Sequence, residues 1–489
     1  MNNFLPYFII VPLIAALLAL AVNRINKILP DILSVLATLY LLAATVMLYF
    51  FRPYNFVLTY KIGGTSLVLD GLSHLVLLAV NLVAFLVVLY SVPYMNKYAG
   101  KEKYYALYML IISGMSGVLL TGDIFNLFIF MEIAALATYA LVAFGGGAEE
   151  LEASFRYAII GTIASLLILL GIGFIYRITG TTNMSEIGLV FNKNIDYIKY
   201  FIAALFIAGF GMKAALVPFH SWLPDAHTAA PAPVSATLSG VLIKVLGVYA
   251  IIRIFYNVLG MTLQLSYALT FIGALSILIG GLLAFYQADL KRLMAYSTIS
   301  QVGYIILGIS LGTPLGIMGG LFHLFNHALF KPLLFMNAGS IEHSTGTRQL
   351  DKIGGISKKM PVTALTSFIG SLSISGIPPF NGFWSKLFII LACVQTGKVW
   401  YAFAAVIGSI ITLVYYLKVQ KVIYFENTSD LISNIKESHW LMSASVIALS
   451  LACLLMGIFY PYVITYLINP AVVAVLNGLG YGRTVGGAL

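Results

Sequence analysis

Fourteen apolar runs, each 18 residues or longer, occupy nearly the whole chain: roughly 4–22, 32–51, 67–92, 104–121, 123–144, 154–177, 198–219, 231–258, 263–286, 292–311, 314–341, 362–396, 400–424 and 440–468. A helix of that length matches the hydrocarbon thickness of a bilayer. Of the 489 residues, 61% are hydrophobic and 9% charged. A water-soluble globule has no interior large enough to hide that much apolar surface. The expected fold is therefore all-α: a polytopic membrane protein of about 14 transmembrane helices. The first run starts at Phe4 without a basic leader or a clear cleavage site, so it is read as a retained helix.

The net charge of +10 does not call for nucleic acid, because the basic residues sit in short loops where membrane topology accounts for them. Alternate loops carry fourteen Lys and Arg (24, 27, 97, 101, 103, 156, 291, 292, 348, 352, 358, 359, 421 and 436) against eight (52, 61, 177, 193, 199, 253, 398 and 483). The positive-inside rule makes the first face cytoplasmic, with the chain in the cell membrane and both termini on the extracytoplasmic side. Cys393 and Cys453 lie in apolar runs and read as small buried hydrophobes. There is no nucleotide loop, no heme or iron–sulfur pattern and no hydrolase triad, so no cofactor and no metal are expected. The longest loops, near 178–197 and 342–361, leave no room for a soluble domain.

Five charges do not belong in such runs: Glu132, Lys213, Lys244, Lys331 and Lys386. Each costs roughly 2.5–3.5 kcal/mol on insertion scales, or on the order of 10–15 kcal/mol together before pairing. A structural ion pair such as Glu132–Lys213 explains one lysine; a single carboxylate cannot neutralise four. The set is better explained as the lining of a hydrated interior path. Lys418, near a span end, can snorkel. In LFHLFNHALFKPLLF (321–335), His323, His327 and Lys331 recur every four residues, which places them on one stripe of a helix about 12 Å long. Both residue types can relay protons, lysine when burial and a carboxylate pull its affinity in opposite directions, histidine near neutrality. Pro332 should release the carbonyl of Ala328 and loosen the helix beside the stripe.

Two runs are interrupted close to a buried lysine. Pro218 follows Lys213 in GMKAALVPFHSWLPD, and Gly376, Pro378 and Pro379 precede Lys386 in SISGIPPFNGFWSKL. Broken helices at membrane depth are tolerated where they face protein or water, and transporters place ion sites there. VPFHSW and PPFNGFW share Pro-Phe followed by Trp, five spans apart. An odd separation gives opposite directions through the membrane, as in inverted repeats, here approximately 104–258 and 263–424 with breaks in the seventh and twelfth spans.

Five stretches carry a wider resemblance: TGDIFNLFIFMEIAALATYAL (121–141), GMKAALVPFHSWLPDAHTAAPAPVSATLSGVLIK (211–244), DLKRLMAYSTISQVGY (289–304), LFHLFNHALFKPLLFMNAGSI (321–341) and SGIPPFNGFWSK (375–386). Over essentially its whole length the chain resembles the antiporter-like membrane subunits of the respiratory complex I superfamily. These include the large proton-pumping subunits of complex I, the A- and D-type subunits of Mrp sodium/proton antiporters and their counterparts in membrane-bound hydrogenases. The resemblance implies that Glu132 pairs with Lys213 of the broken seventh helix and that Lys244 is the eighth-helix relay group. It makes His323, His327 and Lys331 the central relay and Lys386 the twelfth-helix position. Asp225 belongs to the second motif without an assigned role.

The implied mechanism is remote. A redox reaction or ion gradient elsewhere in a complex separates Glu132 from Lys213, lowering the lysine's proton affinity, and the proton moves toward Lys386. Partners would be other membrane subunits and the bilayer, with H⁺ as cargo and Na⁺ as a second candidate. This chain holds no redox centre of its own, so any enzymatic activity would belong to its complex. HSWLPDAH looks closest to the hydrogenase and complex I types, with a D-type Mrp subunit as the alternative. A chain ending soon after its last span argues against the longest complex I subunit. Two other readings compete: a solitary solute transporter, which would concentrate its polar groups in one pocket, and an inert scaffold, which has no use for costly lysines. For sodium, Asp70 and Asp123 near helix ends are the nearest oxygen donors.

Overall fold

The computed structural model describes residues 4–50, 57–62, 65–191, 197–426 and 435–478. Arg52, Lys193 and Arg483 from the loop comparison lie outside them. Each of the fourteen apolar runs coincides with a helix or with a pair of helical segments. In order these are α1 (Tyr7–Val22), α2 (Leu29–Phe50), α3 (Gly71–Tyr94), α4 (Lys101–Leu120), α5 (Ile124–Val142) and α6 (Ala148–Thr179), followed by a short α7 (Met184–Phe191). The seventh run is α8 (Tyr197–Lys213) and the turn that follows it, and α9 (Trp222–Ala229) begins just past the run's end. Then come α10 (Ala232–Val258), α11 (Leu263–Phe285), α12 (Leu290–Ser310) and α13 (Pro314–Thr345). The twelfth run is α14 (Pro361–Ser375) plus α15 (Asn381–Gln395), and α16 (Val399–Phe425), α17 (Trp440–Ile458) and α18 (Tyr460–Leu476) complete the order.

The polarity of a soluble protein is inverted. Large apolar side chains project outward from α1, α2, α6, α11 and α16, for example Leu17, Leu36, Leu166, Phe271 and Phe403. The interior holds lysines, histidines, serines and threonines. α10 is wholly buried and α12 94% buried over their most apolar stretches, against 33% for α2. These enclosed helices are the ones that carry or flank the charged residues. Glycines let them approach their neighbours: a Cβ at Gly247 of α10 would strike the backbone of Ala214. Among the described residues, ten helices are long and apolar enough to cross a membrane.

Three local expectations need correction. The third run does not open as a helix, and one hairpin accompanies the otherwise all-α fold. Leu58–Ile62 (β1) and Thr65–Leu69 (β2) form an antiparallel hairpin, and α3 starts only at Gly71. Residues 67–69 are apolar enough to merge with the span, but Asp70 caps the helix reciprocally with Ser73 and stops it there. The hairpin ties the span ends together: Gly122 N donates to Ser66 O at 2.8 Å and Met184 N to Gly122 O at 2.9 Å. The fourteenth run ends at Ile458, and α18 begins afresh with Pro461 in its first turn, where the missing N–H costs nothing. Finally, Pro332 leaves its own helix unbroken, since α13 runs from Pro314 to Thr345, although its ring has no N–H to donate to the Ala328 carbonyl. Widened turns lie in α10, π-helical over Leu238–Leu242, Lys244–Tyr249 and Arg253–Val258, and in α18 over Ile464–Ile468. The Pro332 ring occupies the space that a side chain at Gly240 would need.

Candidate functional site

Both expected breaks are present, and both place a buried lysine at the carbonyl end of a half-helix. Lys213 is the last residue of α8. Lys386, on α15, reaches back across the break, and its Nζ lies 3.4 Å from the carbonyl oxygen of Ser375, the last residue of α14. The partial negative charge of a helix C-terminus favours a cation at each place. Gly376 turns the chain there at φ 81°, and its missing side chain leaves room for the Lys386 stem.

Glu132 of α5 accepts from Lys213 Nζ at 3.1 Å and from Ser165 Oγ of α6 at 2.5 Å. The lysine side chain is 3% exposed and the glutamate 26%, so one partner of the pair is enclosed while the other reaches the surface of the chain. Lys244 is buried with no hydrogen-bond partner on its Nζ. It lies within electrostatic range of Lys331 and His327. Between Lys213 and Lys244 the described residues supply no direct polar bridge; Ala214 packs against Gly247, one turn from Lys244.

The stripe on α13 is fully enclosed. His323 makes two bonds, Nδ1 to Ser385 Oγ at 2.9 Å and Nε2 to Gln301 Oε1 at 3.1 Å. His327, its ring centroid 6.4 Å away, has no partner on either nitrogen. Lys331 donates to the carbonyl of Met294 at 2.6 Å and approaches Tyr416 OH at 3.5 Å. Lys386 sits 4.8 Å from the centroid of the Tyr304 ring, and Tyr304 OH donates to the Ala405 carbonyl. α12 supplies Met294, Gln301 and Tyr304, so this helix accompanies the stripe through most of its length. Orphaned buried nitrogens on Lys244 and His327 are costly in a dry interior and satisfied in a wet one.

Several functional-looking groups were not singled out from the sequence. His227 of α9 is completely buried, with both nitrogens unpartnered, and stacks on Phe335 at 4.6 Å. Lys291 and Arg253, sorted above as loop charges, are buried in ion pairs: Lys291 with Glu342 at 2.7 Å, and Arg253 bidentate with Asp70 at 2.7 and 2.9 Å. Span-end position hides such groups from a composition window, and a carboxylate three turns along the α13 stripe was the available signal. Asp225 joins Arg292 at 2.8 Å and Arg156 at 3.3 Å in a polar surface pocket. Lys418 reaches the carbonyls of Phe285 and Gln287 from an exposed position, as snorkelling requires. The sodium candidates are already engaged. Asp123 caps α5 and accepts from Thr182, and Asp70 caps α3 and holds Arg253.

Residues 121–412 match the family described as NADH:quinone oxidoreductase/Mrp antiporter, transmembrane, and residues 64–105 match the N-terminal region of complex I chain 5. The chain belongs to this family. The N-type subunit of NADH-quinone oxidoreductase from Desulforudis audaxviator is 40% identical over 362 residues, 73% of this chain and 72% of that protein. The D-type subunit of the Na⁺/H⁺ antiporter from Alkalihalophilus pseudofirmus is 35% identical over 358 residues, again 73% and 72%. The solved structure of the membrane-bound sulfane sulfur reductase, an archaeal respiratory membrane complex, contains a chain that superposes with a TM-score of 0.91 at 31% identity. That match covers 100% of this chain and 99% of the other. As a member of this family the chain is a polytopic membrane protein of the antiporter-like type.

Proposed function

We propose that this chain is the ion-translocating membrane subunit of a multisubunit redox-driven complex, moving protons along Glu132, Lys213, Lys244, Lys331, His327, His323 and Lys386. The observation that carries the reading is the enclosure of these groups in one interior, with unpartnered nitrogens at Lys244 and His327. Such groups persist inside a membrane protein when water and protons reach them. The single carboxylate among them pairs with the lysine at the first broken helix. The relay is a row, which a solute pocket is not. The two interrupted helices support inverted repeats over approximately 104–258 and 263–424 within a single domain.

In this reading the complex lies in the cell membrane, with both termini on the extracytoplasmic side. Charges that the loop count put on one face do meet: Arg156 and Arg292 around Asp225, and Lys101 with Asp31. The kinship with a D-type antiporter chain favours one second reading, membership of an Mrp-type Na⁺/H⁺ antiporter. Identifying the proteins that co-purify separates the two: electron-carrying subunits mark the redox complex, small membrane chains alone the antiporter. Translocation itself is tested by Lys213→Ala in the assembled complex. The expected result is loss of ion movement in proteoliposomes with assembly intact on a native gel; wild-type ion movement would leave an inert scaffold.

A further inference from the structure

The middle of the relay has no contact with bulk solvent. Lys244, His323, His327 and Lys331 are all essentially unexposed, so a proton must come to them through other residues. On α13, Glu342 lies eleven residues beyond Lys331, which is about 16 Å further and only about 20° round the helix. It therefore continues the same stripe toward one face. Its carboxylate is 2.7 Å from Lys291 Nζ of α12, and the lysine is 3% exposed while the glutamate is 21%. This repeats the asymmetry of Glu132–Lys213: an enclosed amine against a carboxylate that reaches the surface of the chain.

The surroundings lead inward and outward. Lys291 also donates to the carbonyl of Ala230 at 3.2 Å, three residues past His227, and His227 lies in electrostatic range of Lys291, Lys244 and Lys331. Both ring nitrogens of His227 are buried and unpartnered. On the other side, Arg348 approaches Glu342 at 3.4 Å, donates to the Thr228 carbonyl at 3.0 Å and pairs with Asp289. Arg348 and Thr228 help line the surface pocket of about 200 Å³ that also holds Asp225, Arg156 and Arg292.

We propose that Glu342 and Lys291 form the gate through which protons pass from this charged pocket to His227 and thence to Lys244 and Lys331. The inference rests on the relay reading above and adds its point of supply. A proton taken up by the Glu342 carboxylate removes the counter-charge of Lys291. The ammonium then gives a proton to a His227 nitrogen, directly or through water, and takes the one held on Glu342. Net, one proton moves from the pocket to the imidazole, and the ion pair re-forms. Arg348 holds the carboxylate in place and does not itself exchange a proton.

The test uses the whole complex, isolated through a tag on this chain, reconstituted in proteoliposomes and driven by an imposed ion gradient. Glu342→Gln should reduce ion movement at least tenfold with assembly intact, and Glu342→Asp should keep most of it. The double variant Lys291→Met with Glu342→Met separates a gate from a structural pair, because apolar replacement of both partners of a buried ion pair is often tolerated. A gate predicts that the double variant stays slow, and recovery to wild-type rates overturns the proposal. Lys331→Ala is the control for the relay. If it is slow while Glu342→Gln runs at the wild-type rate, the gate is wrong and the relay stands. If Lys331→Ala runs at the wild-type rate, the relay itself is wrong.

Discussion

The two broken helices solve one problem in two ways. At the first break, Lys213 is held by a carboxylate, with Glu132 at 3.1 Å. At the second, Lys386 is held by a peptide carbonyl at 3.4 Å and the face of Tyr304. Both lysines are almost fully enclosed. The difference lies in what remains when the amine gives up its proton. At the first break an uncompensated carboxylate remains, so the charge state of Lys213 is tied to wherever Glu132 finds a partner. At the second, the carbonyl and the ring are neutral, and Lys386 can discharge without leaving an ion behind. The first arrangement suits a switch that something outside the chain can throw; the second suits a terminus.

Removing the carboxylate should have the largest effect. Glu132→Gln strands Lys213, and breaking a buried pair this way costs on the order of 3 kcal/mol. Thermal unfolding of the solubilised complex should register that loss, and ion movement should fall at least tenfold, equivalent to about 1.4 kcal/mol in barrier height. Lys386→Met should slow ion movement by a similar factor but shift unfolding by less than about 1 kcal/mol, because no charge is orphaned. Equal destabilisation by the two variants would erase the contrast between the breaks.

The turns themselves allow a finer comparison. The first break bends through Ala215 at φ 54°, the second through Gly376 at φ 81°. Gly376→Ala should cost more than about 1 kcal/mol, since a Cβ there meets both the left-handed strain and the Lys386 stem. Ala215→Gly should change stability by less than about 1 kcal/mol, with relief of strain offsetting the added chain entropy. Denaturant or thermal midpoints of the two variants measure the asymmetry directly.

Much of this was legible in the sequence because lipid enforces a strict code. Runs long enough to span announce themselves, and a lysine in the middle of one, such as Lys213 or Lys331, stands out by its cost. Position near a run's edge removes that signal. Lys291 and Arg253 were indistinguishable from topology-setting loop charges, although the fold buries both against Glu342 and Asp70. His227 counted in the sequence only as part of HSWLPDAH: a histidine in a loop has many uses, and its burial depends on Phe335 and on residues far along the chain. The β1–β2 hairpin was missed because β2 is as apolar as the helix after it. Helical periodicity could expose the row on α13, but not the accompanying groups of α12, whose register against it is set by packing.

The widened turns of α10 have a consequence for Lys244, which begins one such segment and lies just beyond another. A π turn accommodates one residue more than its α counterpart, and sliding it along the backbone swings the side chains it passes by about 100°. Lys244 can thus be re-aimed by exchanging a few carbonyl partners in place, without unwinding or tilting the helix. In the proposed relay, an amine mounted on such a swivel would face one neighbour at a time, which would keep the relay from becoming a leak.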